Sequence, residues 1–243
     1  MQKAIPYLIK PEEITPGLAN YYASTFFDGN DYCSILVKVR DGRPIKIEGN
    51  RMSSITSGGT NARTQASVLS LYDTARYQKP LINQKEADWE KVDNDIMSKL
   101  DTLRNENKPV YIISSSIISP STITVLNRFR QKYQNVRLIQ YDDVSYSGII
   151  KANQTTFGKP VIPFYRFDNA KVIVSFGADF HGSWLLPVTF TKQYVKNRKL
   201  DEGQKTLSRH IQLEGAMSLT GSNADERIVI SPSQEKIFLL DYF

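Results

Sequence analysis

From about residue 84 onward, short apolar runs alternate with segments whose apolar residues recur every three or four positions. Neither a helical bundle nor an all-β sandwich reads this way. Strands that alternate with helices are parallel strands joined by crossovers and covered on both faces. The pattern therefore predicts an α/β fold, a doubly wound, mostly parallel Rossmann-like sheet. Asn83 with Glu86 three places later has the form of a capping box, and Ala87, Trp89, Val92, Ile96, Leu100 and Leu103 follow at helical spacing to about Asn107. A buried strand is expected at 109–114, then a helix opened by Ser119 and Pro120. A strand at 136–141, a weaker helix at 147–156 and a strand at 171–176 closed by Gly177 come next. Short strands at 209–213 and 227–230 and a helix from about Ser233 complete the region.

Residues 1–83 read differently. Two alternating runs, 32–39 and 45–48, flank Asp41-Gly42-Arg43, which predicts a hairpin. Residues 49–60 hold Ser, Thr or Gly at eight of twelve positions, as suits a loop whose backbone comes close to a neighbour. A helix of about twelve residues is expected from Asn61 or Thr64, with Val68, Leu69, Leu71 and Tyr72 on its apolar side. The expected organisation is a small β-rich N-terminal region with a connecting helix, 1–83, and a doubly wound domain, 84–243.

Composition removes several function classes. With 243 residues, 40% of them hydrophobic and 23% charged, the chain can bury a core and does not resemble a disordered polymer. Lys and Arg number 31 against 25 Asp and Glu, a surplus of +6. The basic residues are scattered, with no run longer than two and no basic helix face, so no nucleic-acid partner is expected. Cys33 is the one cysteine, and with only His181 and His210 beside it neither zinc nor iron–sulfur ligation has enough ligands; no metal site is expected. The longest apolar stretches, such as 110–113 and 237–240, fall far short of the roughly 20 residues that cross a bilayer. The first residues lack a signal-peptide h-region, which suggests a cytoplasmic protein or a piece of a longer one.

The loop Gly177-Ala178-Asp179-Phe180 lies where doubly wound sheets bind ligands, just past the carboxyl end of a strand. A glycine there admits a phosphate or base to backbone N–H groups, and a carboxylate can hold a ribose or guanine edge. An ordinary strand-to-loop turn has the same residues. No GxGxxG follows the first predicted strand and no GxxxxGK[ST] occurs, so a standard dinucleotide or P-loop site is not supported. His181-Gly182-Ser183-Trp184 lacks the flanking glycines of a nucleophile elbow. His210, in a predicted strand, is expected to be hydrogen-bonded and partly buried rather than catalytic.

Two stretches resemble the molybdopterin-dependent oxidoreductase superfamily. DYCSILVKVRDGRPIKIEGN (31–50) is similar to the amino-terminal segment in which a cluster-ligating cysteine leads into a hairpin and a glycine-rich loop. IVSFGADF (173–180) with HIQLEGAMSLTGSNADERIVISPSQE (210–235) resembles the family's G-A-[ND] loop paired with a later D-P-R, A-D and P-G-[TS]-D block. Glu214, Ala224-Asp225, Pro232 and Glu235 take the corresponding places. PEEITPGLANYYAST (11–25), GGTNARTQASVLSLYD (58–73) and SRHIQLEGAMSLTGSNADERI (208–228) are similar to the molybdopterin-oxidoreductase-like, iron–sulfur-carrying subunit of bacterial alternative complex III.

That resemblance implies a structural part of a quinol-oxidising respiratory electron-transfer subunit, at the periplasmic face of the inner membrane. Its implied partners are the other subunits of the membrane-bound complex and the remainder of its own polypeptide, since the family continues well beyond Glu235. The family's cofactors are molybdopterin guanine dinucleotide and iron–sulfur clusters, but the departures imply that this chain holds none and has no catalytic residue of its own. Cys33 takes the third of four cluster-ligand places while Phe26, Gly29 and about Asn61 take the others. Ala216 stands where the D-P-R arginine would be. The vestigial cofactor-binding residues are then Gly177, Asp179, Glu214 and Glu235, with Arg63 at the basic position between cluster and pterin. Arg63 is expected to be buried and hydrogen-bonded, and the cleft formed by 177–179, 214–217 and 231–235 to be narrow or filled by side chains such as Met217, Phe180 and Trp184. Whether the chain is itself an enzyme stays open, with an active molybdopterin-dependent oxidoreductase and a guanine-nucleotide-binding module as the alternatives.

Overall fold

A computed structural model describes residues 14–28, 31–200 and 206–241. Mixed α/β architecture is present: an antiparallel three-stranded sheet near the amino terminus, and parallel strands in two further sheets. The described residues group into two compact units, one drawn from 1–73 and 164–243 and the other from 74–163.

In the first unit, β1 (Ala19–Phe27), β2 (Tyr32–Arg40) and β3 (Arg43–Gly49) pair in the order β1-β2-β3. The expected hairpin is β2–β3. Its two-residue turn has Asp41 at φ 50° and Gly42 at φ 76°, the doubly left-handed geometry that Asp-Gly supplies most readily. β1 was not expected from the sequence. It pairs along its whole length with β2 but is largely exposed, so its side chains show no period of two. Cys33, Ile35 and Ile47 point to the other side of the pleat and form a small core with Val68 and Val188, flanked by Phe26 and Val37. Val68 lies in a short 3-10 turn, Ser67–Leu71, that continues α1 (Ala62–Ala66), so the expected twelve-residue helix is a shorter, tightened one.

The same unit contains the parallel sheet β10-β9-β8, built from β8 (Val172–Phe176), β9 (Arg209–Glu214) and β10 (Glu226–Val229). Between β8 and β9 runs α5 (Pro187–Lys196), a helix that the sequence reading lacked. Its Val, Thr, Phe and Tyr content favours strand by propensity, and burial of Val188, Phe190 and Tyr194 overrides that preference. Phe180 lies between α5 and the sheet, stacked on Phe167 at 4.5 Å. The short α6 (Leu219–Ser222) and then α7 (Pro232–Asp241), beginning one residue before the expected start, complete the unit.

The second unit holds β6 (Val110–Ser114) and β7 (Val136–Gln140), paired in parallel, with α2 (Trp89–Asn105), α3 (Pro120–Lys132) and α4 (Ser147–Phe157). Ser119 caps α3 through the Thr122 N–H and Pro120 sits at its first turn, as expected. The apparent capping box at Asn83 is something else. Asn83 and Gln84 are both left-handed, with φ of 49° and 64°, and they turn β4 (Leu81–Ile82) into β5 (Lys85–Glu86). Left-handed residues cannot open an α-helix, so α2 starts at Trp89. Among the described residues no helix is long and apolar enough to cross a membrane.

The Ser-, Thr- and Gly-rich loop after β3 does approach its neighbours closely, and those neighbours belong to its own chain. A Cβ on Gly49 would overlap the Gly58 carbonyl, and one on Gly59 would lie 3.0 Å from both Thr56 O and Val188 Cγ1. Gly49→Ala is therefore expected to cost about 1–3 kcal/mol of stability through overpacking. Urea denaturation would check this, and an unchanged midpoint would contradict the close approach.

Candidate functional site

The carboxyl ends of β8 and β9 bring most of the sequence-derived residues together. Gly177 closes β8 with φ 61°, and a Cβ there would come within 3.6 Å of Glu235 Oε1 from the first turn of α7. Two residues further on, Asp179 Oδ1 accepts from the Thr220 N–H at 3.0 Å and from the Thr220 hydroxyl at 2.8 Å. The same hydroxyl accepts from the His181 N–H at 2.9 Å. Asp179 thus fastens the loop after β8 to α6.

Glu214, at the end of β9 and 3% exposed, is enclosed by donors. Its oxygens accept from Ser218 N–H at 3.0 Å, Ser218 Oγ at 2.6 Å, Gln212 Nε2 at 3.2 Å and Arg227 Nε at 2.6 Å. Burial pushes its pKa up, but the Ser218 and Arg227 donors outweigh burial and hold it below the usual glutamate value. Gln212 and His210 continue inward on the same face of β9, both fully buried. His210 Nε2 lies 3.2 Å from Gln212 Oε1, and His210 Nδ1 lies 3.2 Å from the Tyr194 hydroxyl of α5, which donates to Asn223 O at 3.0 Å. Alongside, Asp225 is paired bidentately with Arg198, a contact that lowers its pKa to about 2.

Arg63 is placed apart from these carboxylates. It forms an ion pair with Asp28 at 3.0 Å and its side chain is 63% exposed, so the expectation of a buried arginine is corrected. It lines a cleft of about 430 Å³ with Asn61, His181, Gly182 and Lys192. His181 gives Nδ1 to a 2.8 Å contact with Thr191 Oγ1, while its Nε2 is buried without a hydrogen-bond partner among the described residues. Burial first, and His210 next, push the His181 pKa down to about 4. The side chains expected to fill the separate cleft at the strand ends lie elsewhere: Phe180 is in the aromatic core, Trp184 packs on Tyr165 at 5.1 Å, and Met217 is exposed.

The four places matched to cluster ligands can be tested for fit. Phe26 and Cys33 are directly opposite one another in the β1–β2 register. Asn61 caps α1, and Thr64 of that helix reaches Cys33 Sγ at 3.1 Å. Gly29 lies outside the described residues. Cys33 is a buried member of the apolar core, and burial raises its pKa, so it is a neutral thiol. An aromatic ring, an amide and one protonated thiol do not fit a four-iron cluster, which needs thiolates. The Glu214 carboxylate, placed by the resemblance at a guanine edge, is already saturated by the protein's own donors, and Asp179 Oδ1 takes two more. Among the described residues no three His, Cys, Asp or Glu side chains converge as a metal site.

Sequence reasoning missed α5 and the charges it carries. Lys192 and Lys196 stand one turn apart on this helix, and Lys196 Nζ lies 3.6 Å from Asp168.

No family model matches the chain. It is distantly similar to the arsenate respiratory reductase molybdopterin-containing subunit ArrA of Shewanella sp. (strain ANA-3), with 22% identity over 92% of this chain. The chain spans about a quarter (27%) of that relative's length. That similarity is a distant resemblance to a molybdopterin oxidoreductase subunit and supports no finer grouping than the superfamily.

Glu214→Gln removes the charge partner of Arg227 inside the sheet and is expected to lower unfolding free energy by about 3 kcal/mol; urea titration reads this, and a loss below about 1 kcal/mol would contradict the network. For His181 the folded pKa is about 4 and the unfolded value 6.5, so its contribution is complete above pH 6.5 and lost as pH falls toward 4. Thermal melts should show Tm dropping over that interval, with a shallower drop in His181→Gln. Asp225 adds a separate loss below pH 3.8.

Proposed function

We propose that this chain is a molybdopterin-oxidoreductase-like domain of a respiratory quinol-oxidising electron-transfer subunit, structural and free of cofactor, at the periplasmic face of the bacterial inner membrane. Its partners in this reading are other subunits of the membrane-bound complex and further polypeptide of its own subunit. The observation that carries the reading is the engagement of Asp179 and Glu214. Both stand at places that the resemblance assigns to guanine recognition, and both bind the chain's own hydroxyls, amides and guanidinium. The buried, protonated Cys33 supports it, because no set of thiolates surrounds it.

One observation favours a second reading, an active molybdopterin-dependent oxidoreductase: the similar subunit from Shewanella is molybdopterin-containing by name. Elemental analysis separates the two. Protein expressed in a host that makes molybdopterin guanine dinucleotide is expected to contain no stoichiometric molybdenum or iron and to release no fluorescent oxidised pterin. Stoichiometric molybdenum with pterin would overturn the structural reading in favour of the second.

A further inference from the structure

The antiparallel sheet of the first unit has two edges, and they are built differently. β3 carries Arg43, Lys46 and Glu48 together with Pro44, which has no N–H to offer. The Tyr72 hydroxyl donates to the Pro44 carbonyl at 2.6 Å, and the β2–β3 register shifts between Lys38 and Val39. Charges, a proline and a bulge are devices that keep an edge strand from pairing with another chain. β1, at the other edge, has none of them. None of its nine residues is charged or a proline, and its register with β2 is unbroken. Tyr21 is 49% exposed, Tyr22 52% and Phe27 58%. Among the described residues no strand pairs with the outer side of β1.

Along a strand the backbone N–H and C=O groups point alternately to the two sides, so part of those from Tyr21 to Phe27 face away from β2. A long, uncharged edge of this kind accepts another strand through main-chain hydrogen bonds. The order of residues says which strand suits it. About Ser24 the segment is nearly symmetric in residue type, with Tyr21-Tyr22 on one side, Phe26-Phe27 on the other and the small Ala23 and Thr25 between. Two copies set antiparallel about a two-fold axis at Ser24 bring Tyr21 opposite Phe27, Tyr22 opposite Phe26 and Ala23 opposite Thr25. Aromatic pairs directly opposite one another stabilise a ladder, and like charges opposite one another weaken it. Here no charges meet, although the chain as a whole carries +6 and two copies repel one another at long range.

We propose that β1 is a self-association edge: two copies of this chain pair their β1 strands antiparallel about Ser24 and form one six-stranded sheet. The pairing is isologous and the β3 edge is guarded, so association closes at two copies. The inference goes beyond the structural role proposed above and does not depend on it.

Sedimentation equilibrium of the full chain tests the proposal. The wild type is expected to be largely dimeric at about 200 µM and monomeric at about 1 µM. Ser24→Lys sets two cations face to face on the axis and Ser24→Glu two carboxylates, so each variant alone should dimerise about fivefold more weakly. An equimolar mixture of the two should recover the dimer as a heterodimer. Ile45→Lys, at an exposed position of β3, should leave dimerisation unchanged. Thermal melts that match the wild type show the variants to be folded. Amide hydrogen exchange of the wild type needs no variant: protection within 21–27 should rise with protein concentration. A monomer at about 200 µM would overturn the proposal and leave the edge to a strand of a different polypeptide. Assembly beyond two copies, a dimer indifferent to Ser24→Lys, no heterodimer in the mixture, or exchange within 21–27 independent of concentration would overturn it as well.

Discussion

An ionised carboxylate sealed beneath the end of a central strand costs several kcal/mol unless the protein replaces the water it gives up. Glu214 is such a group, and its replacement donors come from every element around it. Arg227 reaches across from β10, Ser218 supplies both its hydroxyl and its N–H at the cap of α6, and Gln212 leads back along β9 to His210 and Tyr194. One charge therefore fixes the register of β9 against β10, the position of α6 and the inner face of α5. The Arg198–Asp225 pair does similar work at the opposite end of the strand, where Asp225 also accepts the His210 N–H at 2.7 Å. In this interior, electrostatics serve cohesion.

The elements that were legible in the sequence are those specified by local chemistry. Asp41-Gly42 dictates a two-residue turn, Ser119-Pro120 a helix start, and the apolar runs at 110–113 and 172–176 parallel strands. What escaped is specified by tertiary contact. β1 is exposed on most of its length and is a strand because β2 pairs with it. α5 is helical because Phe190 and Tyr194 bury against the sheet, although its residues individually lean toward strand. Asn83 illustrates a genuine ambiguity: Asn followed by Glu three positions later suits a helix cap, yet Asn also enters the left-handed region with ease, and the hairpin claimed it.

The candidate site divides along the same line. Strand ends are predictable from strand positions, so the proximity of Gly177 to Glu235 followed from topology. The identity of the groups that answer Asp179 and Glu214 did not, because Thr220 and Ser218 are short hydroxyl residues with no pattern to announce them. Arg63, expected to be buried, is instead a largely exposed ion pair with Asp28, an outcome that its neighbours rather than its place in the sequence decide.

Gly182 and Gly221 carry a consequence for comparison with other chains. A Cβ at Gly182 would occupy the space of Asp179 Oδ2, and one at Gly221 that of Glu214 Oε1. Each glycine is the mould in which a carboxylate is cast. A side chain at either position would overlap the carboxylate, so the acid would have to leave this position. The residue pairs 179 with 182 and 214 with 221 are thus single characters written at two places. A chain with a larger residue at 182 or 221 could not keep the acid at 179 or 214 where it lies in this one.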